Sequence, residues 1–172
     1  MADFSFTVSS ENGTGASDLT GLYNVITAID QGGKDAGIAN NYTITLGATI
    51  TLSKDLPAIN LDAGSTVTFL GGAHAIDGAS AFRSLLVFAG NVTLENMTIQ
   101  HAHAQGGNGG FAEEGGGGGA GLGGGLFVAG TNIVNGTTIA GGVVTLQNVS
   151  FAHDSATGGD GGGNTLYGGS SN

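Results

Sequence analysis

His101 and His103 stand two apart in a strand-like run, which is expected to put both imidazoles on one face. A related stretch 52 residues later sets His153 over His101, with Asp154 beside it. Three imidazoles and a carboxylate are a ligand set for Zn²⁺. At bends between strands the same residues read as surface histidines, and no metal is assigned to them. A second candidate is the run Gly158-Gly159-Asp160-Gly161, followed by Asn164-Thr165-Leu166-Tyr167. It is similar to the glycine-aspartate nonapeptide that binds calcium in secreted β-rolls, but Asn164 stands where an anionic ligand belongs. The tract from 115 to 125 also contains a G-x-G-x-x-G spacing at Gly119, Gly121 and Gly124. Phosphate cradling needs a helix after those glycines, and here the apolar run Leu126-Phe127-Val128 predicts a strand. The tract is therefore read as an extruded loop, and no cofactor is expected.

Glycoside hydrolysis needs two carboxylates about 5 to 9.5 Å apart. The acids are scattered: Glu113 and Glu114 fall in the glycine tract, and Asp77 near Arg83 is the best available pair, expected as a surface salt bridge. Lys34 and Lys54 lie near the N-terminal region and Arg83 is the only arginine, so no base is evident for a lyase. Sequons begin at Asn12, Asn41, Asn91, Asn96, Asn135 and Asn148, but strands rich in Asn and Thr generate them freely, and no glycan is assigned. No catalytic, cofactor-binding or metal residue is committed.

The elements that must position these groups come from hydrophobic period. Residues 4–8 alternate as a half-buried strand. Leu19, Leu22, Val25, Ile26 and Ile29 fall at helical spacing, predicting one helix over about 18–31, capped by Ser17 and ended by Gly32 and Gly33. Short β-runs follow at 42–46, 49–52, 58–61, 66–70, 85–88 and 92–99. The run Val92-Thr93-Leu94-Glu95-Asn96-Met97-Thr98-Ile99 recurs as Val144-Thr145-Leu146-Gln147-Asn148-Val149-Ser150-Phe151. Short-strand repeats of this kind predict a β-solenoid, with insertions at 106–125 and 131–142. Asn96 and Asn148 are expected at equivalent bends, pointing inward and bonding amide to amide.

The opening Phe6-Thr7-Val8, Gly15-Ala16-Ser17-Asp18-Leu19 and Val25-Ile26-Thr27-Ala28-Ile29 resembles the start of bacterial right-handed parallel β-helix proteins. The repeat with its glycine-rich insertion is similar to repeats of autotransporter-like adhesins and polymorphic outer-membrane proteins. The resemblance implies a right-handed parallel β-helix with a short N-terminal capping helix, all in one domain: a cap over 1–41 and coils over 42–172. It further implies the N-terminal part of a passenger, exported to the extracellular face of the bacterial outer surface. Parallel β-helices also include polysaccharide lyases and hydrolases.

Composition bounds the partners. Three basic residues against 13 acidic ones give a net charge of −10, so the basic footprint of a nucleic-acid binder is lacking. No apolar run reaches the length of a membrane span, and the absence of cysteine excludes disulfides and thiol chemistry. Only 9% of residues are charged and 40% are apolar, which predicts a folded chain with an uncharged polar surface. The expected role is non-enzymatic, structural or adhesive, with a host or matrix glycan or protein as partner. A polysaccharide-processing enzyme and a glycan-binding module are the alternatives. The residues after Tyr167 show no strand or apolar stripe, so the last coil is expected to be open and to support self-association.

Overall fold

The computed structural model describes residues 1–15, 18–111 and 115–163. Alternating residues make the longer strands: β2 (Asn41–Leu46) and β5 (Thr66–Leu70) bury every second side chain, and β1 (Asp3–Val8) half-buries Phe4 and Phe6 and buries Val8. Between them lie one helix, α1 (Leu22–Ile29), and two-residue strands β3 (Ile50–Thr51) and β4 (Ile59–Asn60). β6 (Ala75–Asp77) precedes a sixteen-residue strand, β7 (Leu85–Gln100), and β8 (His103–Gln105). After the glycine tract come β9 (Leu126–Val128), β10 (Asn132–Val134), β11 (Thr137–Ile139), β12 (Gly142–Ala152) and β13 (Ser155–Thr157).

Parallel pairing stacks like residues. Tyr42 pairs with Phe4 on one side and Val67 on the other, Val92 continues the column, and Val144 lies over Val92. The neighbouring column runs Phe6, Ile44, Phe69, Leu94 and Leu146. Ile44, Val67, Phe69 and Leu94 are fully buried, so these columns form the core, whereas Leu146 at the end of its column is 47% exposed. Alternation along β7 is interrupted at Asn96, whose left-handed φ of 53° turns the strand so that Leu94 and Met97, three apart, both point inward.

The expected right-handed parallel β-helix with an N-terminal capping helix is corrected. Among the described residues nine of the thirteen strands form one branched sheet, every pairing in it parallel, β10–β11 and β8–β13 form two separate pairs, and one short helix accompanies them: a mostly parallel, α/β-like arrangement. The reason lies in β7. The two runs expected at 85–88 and 92–99 are one continuous strand, and it pairs with β4, β5, β6, β9 and β12. Partners therefore branch from a common hub and belong to one sheet. The helix is not a terminal cap either, because it follows β1, which pairs with β2, and Leu22, Val25, Ile26 and Ile29 are wholly buried in the shared core. It starts later and ends earlier than expected, from an N-cap at Gly21 to a C-cap at Asp30. The expected cap, Ser17, lies outside the described residues. Asp18 holds the preceding turn instead, accepting from the backbone N–H and hydroxyl groups of Thr14 and Thr20.

The glycine tract is not an extruded loop. Segments 106–110, 115–124 and 158–163 lie side by side and are tied by backbone bonds that repeat every third residue. Gly106 and Gly109 donate to Thr157 and Asp160 at 2.8 and 2.7 Å; Gly116 and Gly119 donate to Gly110 and Gly107 at 3.0 and 2.7 Å. Gly159 and Gly162 close the circuit, donating to Gly119 and Gly116 at 2.8 and 2.7 Å. Each segment thus donates to one neighbour and accepts from the other. A three-residue period without internal bonds is that of a polyproline-II chain. The inward positions admit no side chain: a Cβ on Gly109, Gly118, Gly159 or Gly162 would lie 1.9 to 2.0 Å from a facing carbonyl oxygen.

Candidate functional site

Left-handed residues mark where strands bend, and they carry the most distinctive surface. Asn96 and Asn148, with φ of 53° and 52°, occupy equivalent positions in β7 and β12. Asparagine tolerates this region better than β-branched residues do. The Asn148 amide donates to Asn96 Oδ1 at 2.9 Å, so the amide pair forms as expected, but both side chains are exposed and not turned inward. In the adjacent layer the corresponding place is taken by Gly72 and Ala73, tied to it by the Ala73 N–H bond to Asn96 O. Missing side chains there leave a groove of about 500 Å³, lined by Gly72, Ala73, Asn96, Thr98, Asn148 and Ser150. Its walls combine amides, hydroxyls and backbone with the apolar side chains of Met97 and Ala73, and among the described residues no charged side chain lines it. It can present hydrogen bonds to a neutral polar ligand.

The histidines gather differently from the expectation. His101 and His153, both left-handed with φ of 48° and 59°, stack with ring centroids 5.3 Å apart. His101 Nδ1 lies 3.2 Å from Asp77 Oδ2, whereas His103 turns to Ser155 Oγ at 2.8 Å and Gln105 Oε1 at 3.2 Å. The left-handed turn at His101 breaks the alternation that would have put His101 and His103 on one face. Among the described residues no three His, Cys, Asp or Glu side chains form a set that could hold a metal ion. Burial works against ionisation of Asp77, but bonds from Gln100, the Ala79 N–H and His101 outweigh it, so its carboxyl sits below the ordinary value. Burial prevails at Asp154 and raises its pKa, although the Ala102 N–H donates to it at 2.8 Å.

Comparison with known proteins adds no relative. No family model, curated protein or solved structure matches the chain.

Other acids secure turns. Asp77 does not pair with Arg83 as expected. Arg83 is held by Asp55, through its N–H at 2.7 Å and its guanidinium at 4.0 Å, while Asp77 binds Gln100 at 2.7 Å. Lys34 pairs with Asp35, and Lys54 lies 3.5 Å over the Tyr23 ring. Asp160 contributes backbone to the glycine bundle and accepts no ligand-like arrangement there: its N–H donates to Asn108 and its carbonyl accepts from Gly109. Asn164, Glu113 and Glu114 lie outside the described residues. Gly119, Gly121 and Gly124 belong to the bundle and lead into β9, not into a helix.

Two features escaped sequence reasoning. Glu11 is buried, and its carboxylate accepts the N–H groups of Ser53 and Lys54 at 3.1 Å, the Ser53 hydroxyl and the Asn12 amide. An isolated acid in a turn-rich stretch carries no signal for that role. The glycine bundle did carry one. Glycine occupies 106, 109, 115, 118, 121, 124, 159 and 162, while Asn108, Ala120, Leu122 and Asp160 all fall out of that phase.

Proposed function

We propose that this chain is a non-enzymatic structural and adhesive segment of an exported bacterial surface protein, working at the outer cell surface. The observation that carries the reading is the like-on-like register of β7 and β12. Gly142 stands over Gly90, Val144 over Val92, Thr145 over Thr93 and Leu146 over Leu94, and beyond the bend Ser150 over Thr98 and Phe151 over Ile99 keep the kind of residue though not its identity. Repeating the same residue at the same height builds length and stiffness, whereas catalysis needs different groups converging on one point. Four of the thirteen acids are committed to turns: Asp18 to Thr14 and Thr20, Asp55 to Arg83, Asp77 to Gln100 and Ala79, Glu11 to Ser53 and Lys54. Low charge and an Asn-, Thr- and Gly-rich surface suit exposure outside the cell.

A second reading is favoured by the groove beside Asn96 and Asn148. Its lining, uncharged amides and hydroxyls beside the Met97 and Ala73 side chains, suits a neutral glycan, which would make the segment a glycan-binding module. Adhesion of non-adherent cells displaying the chain, together with a glycan array and assays for reducing ends and unsaturated products, tests both readings. Adhesion without turnover is the expected result. Turnover of any polysaccharide by the pure protein would overturn the non-enzymatic reading.

A further inference from the structure

An Asn-Gly pair is a place where a chain can react with itself, because glycine puts no Cβ between its nitrogen and the preceding side-chain amide. The sequence holds three: Asn12-Gly13, Asn108-Gly109 and Asn135-Gly136. The fold treats them differently. Gly13 donates its N–H to Ser10 Oγ at 3.0 Å, and the Asn12 amide donates to Glu11 Oε2 at 2.8 Å, which ties that pair to a buried carboxylate. In the glycine bundle Gly109 donates to Asp160 O at 2.7 Å while Asn108 Oδ1 accepts from the Asp160 N–H at 2.9 Å, so one residue holds both groups. Asn135 and Gly136 instead form the two-residue turn of the β10–β11 hairpin, both exposed, with φ of 51° and 78°. Among the described residues neither the Gly136 N–H nor the Asn135 side-chain amide meets a hydrogen-bonding partner, and a Cβ on Gly136 would stand in open space.

We infer that Asn135-Gly136 is a self-modification site, where the hairpin tip deamidates with water as the only co-reactant. The Gly136 nitrogen attacks Asn135 Cγ: the N–Cγ bond forms, the Cγ–Nδ2 bond breaks, and ammonia leaves with the proton that the Gly136 nitrogen gives up. Water then opens the five-membered imide at either carbonyl, leaving an aspartyl or an isoaspartyl residue at 135. The sum is one water consumed and one ammonia released, with nothing oxidised or reduced. Attack needs the nitrogen brought up to Cγ, so the left-handed turn must first relax. The hairpin does this readily, because β10 and β11 pair only with each other and an isolated two-stranded hairpin is marginally stable. At the other two pairs the same movement has to break the bonds to Ser10 and Glu11, or those to Asp160. Either product puts a negative charge into a stretch, 126–142, that has no ionisable side chain. The isoaspartyl form also lengthens the backbone between Val134 and Thr137 and so spoils their pairing.

Peptide mapping by mass spectrometry of the full chain, kept folded in mildly alkaline buffer, tests the assignment. The peptide holding Asn135 should gain about 1 Da and split into aspartyl and isoaspartyl forms, at least about tenfold faster than the peptides holding Asn12 and Asn108. In urea, where the fold no longer separates them, the three should convert at similar rates. Gly136→Ala sets a methyl group beside the attacking nitrogen and should slow conversion at 135 while the circular dichroism spectrum is kept. Conversion of Asn12 or Asn108 as fast as Asn135 in the folded chain would overturn the inference. The same follows if Asn135 stays intact in the folded chain while the unfolded chain converts, since the turn would then protect the bond. A lead for Asn135 that persists undiminished in urea would trace the difference to local sequence and remove the structural argument. An unchanged rate in folded Gly136→Ala would rule out the Gly136 nitrogen as the attacking group.

Discussion

Gly117 and Gly118 are adjacent in a run of identical residues, yet the three-residue period assigns them opposite roles. A Cβ at Gly117 meets nothing within 4 Å, whereas one at Gly118 would lie 1.9 Å from Gly159 O. Ordinary contact begins at 3.4 Å, so Gly118→Ala must part the two segments by about 1.5 Å. The bonds from Gly159 to Gly119 and from Gly162 to Gly116, now 2.8 and 2.7 Å, would then exceed the roughly 3.5 Å at which a hydrogen bond is lost. At about 0.5 to 1.5 kcal/mol each, the loss is about 1 to 3 kcal/mol. For a chain of this size that lowers Tm by about 2 to 12 °C where unfolding is cooperative. Gly117→Ala should be neutral or gain about 0.4 to 1 kcal/mol by restricting the unfolded chain. Calorimetry gives the stability difference, and amide exchange at Gly159 and Gly162 shows whether the bundle has opened. Equal melting temperatures and equal exchange for the two variants would refute the phase assignment, and with it the packed bundle.

Asn96→Gly should cost only the amide bond, about 0.5 to 1.5 kcal/mol, whereas Asn96→Val should cost about 1 to 2 kcal/mol more because a β-branched residue resists a φ of 53°; chemical denaturation separates the two. Asp30 is pushed up to about 6 from 3.8 by burial, despite the N–H of Asn60 donating to it. The folded state therefore favours the protonated acid, so its contribution is full below pH 4 and lost as pH rises through 6. Asp30→Asn should flatten that window and stabilise the protein at pH 7 by about 1 kcal/mol, a figure reduced for the solvent screening of a partly exposed group. Glu11→Ala leaves the N–H groups of Ser53 and Lys54 without their acceptor and should cost about 2 to 4 kcal/mol, read by urea unfolding.

Local pattern made most strands legible. Alternation placed β1, β2, β5 and β12, and the internal repeat placed Val144 over Val92, because a period of two and a repeated motif each specify which residues share a face. The way the sheet joins was not legible. Nothing in Ala89-Gly90-Asn91 announces that the chain runs through as a single strand, and that continuity makes β7 a hub with five partners. β6 was missed because three residues with one large apolar side chain give no period. The β10–β11 hairpin was missed although Asn135-Gly136, with φ of 51° and 78°, is a strong hairpin-turn signal. Of the candidate site, the amide pair was foreseen and its exposure was not. A left-handed bend turns the side chain outward where simple alternation would bury it. The glycine tract misled for a different reason: composition alone reads as flexibility, and only the phase of the exceptions reveals packing.

The glycine bundle divides the protein into two kinds of matter that respond differently to temperature. The core of Ile44, Phe69, Leu94 and their neighbours is stabilised by removing apolar surface from water, and its melting carries a large positive heat-capacity change. The bundle has no apolar side chains along its inward rows and is held by peptide bonds to peptide bonds. Its opening draws on enthalpy and on the large backbone entropy that glycine releases, with little change in heat capacity. Warming therefore loosens the bundle before the core, and cooling, which weakens apolar burial, leaves it intact. A chain that reaches its cold limit through its core and its heat limit through its glycines has no single temperature at which both halves are most secure.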